Sequence, residues 1–251
     1  MSHHTVTSSG REEKTFAAIR GRNREAKGSG VGEGTHRRAG RPSTKVLSRQ
    51  AITDAALDVI EQGGYDAFTV AKLARALGVA PSALYNHVSS KQDVLLWVQE
   101  DLMTKVDVSG FGAEPWAVAT RRWALSYRDV FARHAPLVPV IAVMPVAGAP
   151  RTLAVYEAVA AGFAEAGWPI DTIVPVVVAL ESFIFGSALD ANAPADIFDT
   201  ADLAGDSPVF TAAIDAFAGS GGHYTPDAGF DAGLDAMIAG LEARLELLRK
   251  D

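Results

Sequence analysis

The stretch HRRAGRPS, residues 36–43, places Arg37, Arg38 and Arg41 on a backbone rich in Gly, Ser and Pro, just ahead of the first segment with helical periodicity. Guanidinium groups on such a chain can enter a narrow, A·T-rich minor groove, although a solvated basic tail has the same composition. Further on, VAKLARALGVAPSALYNHVSSK (70–91) spaces its apolar residues as two short helices hinged at Gly78, the shape that proteins push into a DNA groove. Other chemistries have no foothold. There is no nucleotide-binding glycine loop, no GxSxG elbow, no HExxH and no histidine cluster at metal-ligand spacing. The absence of cysteine removes thiol catalysis, disulfides and Cys-ligated zinc. No enzyme activity and no cofactor are expected.

A DNA-binding reading must answer for a net charge of −7. The charge is unevenly spread: residues 1–50 carry eleven Lys and Arg against four acids, whereas residues 106–251 carry eight against nineteen. The end that adjoins the two-helix stretch can therefore be drawn to phosphates that the remainder repels. Residues 1–45 hold few large apolar side chains and are expected to form a flexible basic arm. They contain no apolar run of the length a secretory signal needs, so a cytoplasmic location is expected.

The chain of 251 residues is 48% hydrophobic, ample for a buried core, and its periodic segments after residue 46 are all helical. Ser48 is positioned to cap a first helix that ends at Gly63 and Gly64, with Ile52, Ala55, Ala56, Val59 and Ile60 on its inner face. Thr69 caps a second helix with Val70, Leu73, Ala74 and Leu77 inward. Pro81 opens a third, anchored by Leu84 and Val88. The small Ala74 permits close approach of the two helices and Gly78 permits the turn between them, so the pattern is that of a helix-turn-helix. A fragment of a larger helical bundle could share this spacing.

These residues carry a family resemblance. The segment TDAALDVIEQGGYDAFTVAKLARALGVAPSALYNHVSSKQDVLLWV resembles the DNA-binding domain of the tetracycline-repressor-like (TetR) family of transcriptional regulators over residues 46–100. Its distinctive parts are Gly64, Tyr65, Phe68 and Thr69 in the link, Leu77 to Val79 in the turn, Leu84 to His87, and Lys91 opening a fourth helix; Val88 stands where many relatives have Phe. The resemblance implies an all-α protein: a flexible arm (1–45), a three-helix helix-turn-helix domain (46–95) and a helical ligand-binding and dimerisation domain (96–251). It also places Pro81, Ser82 and Ala83 at base edges. Their chemistry suits thymine methyls and one adaptable hydroxyl, with no Arg–guanine pair on this helix. Thr69, Tyr85, His87 and Lys91 are matched to the family's phosphate contacts.

Downstream, helices are expected from Lys91 to about Val106, from Pro115 to His134, and over 136–144, 151–166, 170–192, 208–218 and 227–250. Ile170 to Leu189 is as long as a membrane span but contains Asp171, Pro175 and Glu181, so it reads as a buried core helix. In the last helix Leu234, Ile238, Leu241, Leu245 and Leu248 step by four and three, with Gly233, Ala236, Gly240 and Ala243 beside them. In the family these two helices pair with their copies, which implies a homodimer; leucine periodicity alone also fits an intramolecular core.

The resemblance further implies a small-molecule cavity in the C-terminal domain. Side chains suited to line it include Trp123, Tyr127, Phe131, Met144, Tyr156, Phe163, Phe183 and Phe185, although for any one of them plain core packing is the commoner role. Glu181 is the exception. An acid within so apolar a helix must be paired or solvated, so it is expected to orient a ligand or to meet Arg121, Arg122 or Arg128; His134 and Glu157 are weaker candidates. The expected function is ligand-responsive transcriptional regulation, with a double-stranded DNA operator and a small, largely apolar effector as partners, repression relieved by ligand, and no membrane association. The alternative is a helical ligand-binding or scaffold protein whose DNA head has no function.

Overall fold

The computed structural model describes residues 47–194, 196–219 and 225–250, and among them every regular element is a helix. Residues Val46–Asp251 form one compact unit. Arg37, Arg38 and Arg41 lie outside the described residues.

The head begins with α1 (Arg49–Gly63), where Ser48 Oγ accepts the Ala51 N–H at 3.1 Å and Ile52, Ala56 and Ile60 are fully buried. Gly64 ends it with φ 74° and ψ 163°, a backbone region open almost only to glycine. Helix α2 (Val70–Leu77) is capped by Thr69, whose Oγ1 accepts the Lys72 N–H at 3.2 Å, and it is closed by Gly78 in the left-handed conformation at φ 69°, ψ 30°. Helix α3 (Pro81–Tyr85) starts with proline, whose missing N–H would be unpaired there in any case. Leu73, Ala74, Leu84 and Val88 are buried in the core of the head. The sequence expectations for this region hold.

Helix α4 (Lys91–Met103) starts with a reciprocal cap, in which Ser90 Oγ accepts the Asp93 N–H and Asp93 Oδ2 accepts the Ser90 N–H. It stops before the expected Val106. The amides of Thr104, Lys105 and Val106 turn to carbonyls three residues back, and the Thr104 hydroxyl donates to the Asp101 carbonyl at 2.6 Å, so the last turn tightens out of α geometry.

The body consists of α5 (Trp116–Ala132), α6 (Val138–Ile141), α7 (Pro150–Glu165), α8 (Ile170–Asp190), α9 (Pro208–Gly219) and α10 (Pro226–Leu248). The single helix expected over 136–144 is a 3-10 turn, Ala135–Leu137, followed by the four residues of α6, because Pro136 and Pro139 withhold two amide donors. Helix α5 lies along α8, α7 touches α4, α5 and α8, and α10 crosses α5 and α8.

The leucine seam of α10 is turned inward: Leu234, Ile238 and Leu245 are buried and Leu241 and Leu248 pack against the same core. Gly233 also serves this packing, since a Cβ there would stand 2.6 Å from Phe183 Cζ. The face left outward carries Ala236, Gly240, Ala243 and Leu247. Helix α8, which reads from the sequence as a buried core helix, is covered by this chain on one side only. The chain itself buries Ile173, Val176, Val177, Leu180 and Ile184 and leaves Ile170, Val174, Val178 and Leu189 exposed, Val174 by 68%.

A Cβ at Gly64 or Gly78 would meet nothing within 4 Å, so substitution tests the backbone alone. Gly78→Ala should destabilise by about 1 kcal/mol, and Gly64→Ala by more, about 1–3 kcal/mol, as read by urea denaturation.

Candidate nucleic-acid interface and ligand site

The geometry of the head follows from which side chains it buries. Leu84 is fully enclosed, so the short α3 presents Pro81, Ser82 and Tyr85 outward, and Tyr85 is 55% exposed, which is far too open for an ordinary core tyrosine. Ala83 is half-buried, and Thr69 and His87 are exposed. Thr69 Oγ1 is engaged as an acceptor by its cap bond, which leaves its hydroxyl proton available to an anion. Lys72 and Arg75 of α2 are exposed too. Neither belongs to the distinctive motif positions of the link, the turn, residues 84–87 and Lys91, so the sequence did not single them out.

Lys91 is placed differently from the others. Its Nζ donates to the Tyr65 carbonyl at 3.2 Å and lies 3.7 Å from the centroid of the Tyr65 ring, half-buried. Much of its charge is thus spent holding the 64–69 link against α4, the opposite of a freely solvated helix-start lysine.

In the body, Tyr127 and Phe131 of α5 meet Phe185 of α8, and Trp123 packs on Tyr127. Ring centroids are 5.7 Å apart for Trp123–Tyr127, 5.4 Å for Tyr127–Phe185 and 5.2 Å for Phe131–Phe185. Glu181 lies one turn from Phe185 on α8. Its Oε1 accepts two phenol hydrogen bonds, from Tyr127 at 3.1 Å and from Tyr156 on α7 at 2.8 Å. Burial pushes the Glu181 carboxyl above the ordinary carboxylate range, and the two phenols only partly offset this. Burial and the adjacent carboxyl raise both tyrosines as well.

The arginines proposed as partners for Glu181 go elsewhere. Arg121 pairs with Asp235, Arg122 with Glu114, and Arg128 with Asp227 at 2.7 Å while its Nε donates to Ser187 Oγ. They point away from Glu181 because acids on α10 and in the turn before α5 compete for them. His134 pairs with Glu61 of α1 at 2.7 Å, and Glu157 is exposed. Phe163 belongs to a neighbouring ring cluster with Phe111, Trp116 and Trp168, beside a cleft of about 290 Å³ that Glu181 does not line. Met144, half-buried beyond α6, joins the margin of the core. Among the described residues no group of acids and histidines could hold a metal.

A small three-helix head joined to a helical body is an arrangement shared with known proteins. Residues 52–98 match the family described as bacterial regulatory proteins, tetR family, and residues 111–245 match the tetracyclin repressor-like C-terminal domain. The chain belongs to the TetR family. It is 30% identical over 216 residues to the tetracycline repressor protein class A from transposon 1721 of Escherichia coli, covering 81% of this chain and 94% of that one. Among solved structures, a possible TetR family transcriptional regulator from Streptomyces coelicolor A3(2) is 27% identical, covers 78% of this chain and 99% of its own, and has a TM-score of 0.64. The TetR family protein ActR of Streptomyces coelicolor, in complex with actinorhodin, is 25% identical over 79% of this chain and 98% of its own, with a TM-score of 0.64. This TetR-family chain is therefore a transcriptional regulator with a helix-turn-helix head.

The Glu181 environment makes a signed prediction. A carboxyl raised in the folded state gives stability that is complete below its unfolded value, near 4.5, and is lost as pH rises through the folded value. The melting temperature of the wild type relative to Glu181→Gln should therefore be highest below pH 4.5 and fall as pH rises, as scanning calorimetry across pH would show.

Proposed function

We propose that the protein is a homodimeric repressor that binds an inverted-repeat operator and releases it when a small, largely apolar aromatic molecule enters the body. The carrying observation is the outward presentation of Ser82 and Tyr85 on a helix whose only buried residue, Leu84, locks it into the head. Pro81, Ser82 and Ala83 would read base edges through methyl contacts and one hydroxyl, and Thr69, Tyr85 and His87 would fix the head on phosphates. Lys91 would contribute charge while bracing the link, and Arg37, Arg38 and Arg41 would track the adjacent minor groove.

Pairing of two copies is supported by the exposed aliphatic row Ile170, Val174, Val178 and Leu189 on α8, together with the small outer residues of α10. Surfaces of this kind rarely remain open to water in a monomer. The effector reading is supported by the ring-lined Glu181 and by ActR, a relative solved in complex with actinorhodin. A site of aromatic walls with few polar groups selects flat, apolar molecules carrying a hydrogen-bond donor.

Selection of genomic DNA fragments on the purified protein tests the reading directly. Recovered sites should be inverted repeats with half-sites about one helical turn apart. If each subunit neutralises about four phosphates, log K should fall against log[salt] with a slope near −7. Recovery of no sequence-selective, salt-sensitive complex would leave a scaffold protein with a silent head. Val178→Arg should give monomers by sedimentation velocity and weaken operator binding by at least about a hundredfold, since one head makes half the contacts; a variant that stays dimeric removes α8 from the interface.

A further inference from the structure

Glu100 is buried, 2% exposed, on the C-terminal half of α4, and its side-chain hydrogen bonds run to a different helix. Its Oε2 accepts the Arg151 N–H, and its Oε1 accepts both the Thr152 N–H and the Thr152 hydroxyl, each at 3.0 Å. These donors belong to the first turn of α7, where backbone amides lack partners within the helix and the helix dipole favours an anion. Separating the carboxylate from them would strand a buried charge, so α4 and the start of α7 are constrained to move together.

Four residues along α7 from Thr152, on the same face, is Tyr156, the residue that donates to Glu181. Helix α7 is thus held one turn apart by carboxylates from two different helices, Glu181 of α8 and Glu100 of α4. Immediately after Glu100, Asp101 accepts from Gln50 Nε2 of α1 at 3.2 Å, and α4 packs along α1. The route from the ring-lined acid to the head is short: Glu181, Tyr156, Thr152, Glu100, Asp101, Gln50.

We infer that Glu100 is a positioning residue that fastens α7 to α4, so that a molecule displacing Tyr156 from Glu181 is felt as a shift of the DNA-binding head. This rests on the repressor reading above. It assigns the coupling to a particular carboxylate and its three donors, where a plain helix cap would contribute stability alone.

The test is a double-mutant cycle on the full-length protein, with an operator fragment recovered by the genomic selection and affinities read by fluorescence anisotropy. Glu100→Gln and Tyr156→Phe should each weaken operator binding by at least about fivefold. The double variant should fall short of the product of the two by at least about threefold, because both act through α7. In hydrogen exchange, operator binding should change the exchange of the segment containing Arg151 and Thr152 in the wild type and leave it unchanged in Glu100→Gln.

Multiplicative effects within about twofold, or a lowered melting temperature with wild-type operator affinity, would overturn the inference and reduce Glu100 to a cap. If Glu100→Gln does not fold, Thr152→Val replaces it in the cycle under the same criteria, removing one of the three hydrogen bonds and keeping the carboxylate. If the wild type selects no operator, the repressor reading fails and takes this inference with it. If it selects one and the cycle is multiplicative, only the inference fails.

Discussion

Burial of α4 from two directions governs how the rest of the molecule can behave. Val94, Val98 and Leu102 have no exposed surface, Gln99 and Glu100 are buried beside them, and the helix packs on both α1 and α7. A boundary between head and body at residues 95 and 96 therefore falls inside a continuous helix about 20 Å long. A close-packed rod of this kind transmits displacement in place of absorbing it. Within the head, Lys91 at the start of α4 holds Tyr65 of the link, and the His134–Glu61 pair ties α1 to the residues that follow α5.

The same architecture reconciles a negative protein with a polyanionic partner. The acids are concentrated in the chain after residue 106, whereas the outer surface of α2, α3 and the turn after α3 offers hydroxyls, the His87 imidazole and the cations Lys72 and Arg75. A molecule so polarised approaches DNA in one orientation. In the proposed complex, the short side chains of Pro81, Ser82 and Ala83 would each make only a weak base contact, which would shift discrimination toward methyl packing and DNA shape.

In the body, α8 is asked to do two incompatible things with one stretch of apolar sequence. One side fills the core and carries Glu181 into a shell of rings; the other leaves Ile170, Val174 and Val178 in solvent. Glu181 is tolerated because two phenols converge on one of its oxygens, although burial still holds its carboxyl above the usual range. Tyr127, which holds this acid from one side, is itself packed edge to face on Phe185 and tilted against Trp123.

The head was legible in the sequence because its determinants are local. Ser48 and Thr69 as caps, Gly64 and Gly78 as turns, Pro81 as a helix start and Leu84 as an anchor all act within four residues of themselves, and the structure bears each of them out. The existence of the body helices was legible for the same reason. Where α4 ended, which way the α10 leucines faced and where the arginines found their acids were not, since periodicity defines a face and leaves open what covers it. Glu181 stood out in the sequence as an anomaly, but its partners Tyr127 and Tyr156 lie 54 and 25 residues away along the chain. Glu100 gave no signal at all: an acid near the end of an amphipathic helix looks solvated until the fold brings the open amides of another helix against it. Sequence determined the local geometry, and tertiary packing alone decided which buried charges met which donors, because desolvation depends on everything that surrounds a group and not on its neighbours in the chain.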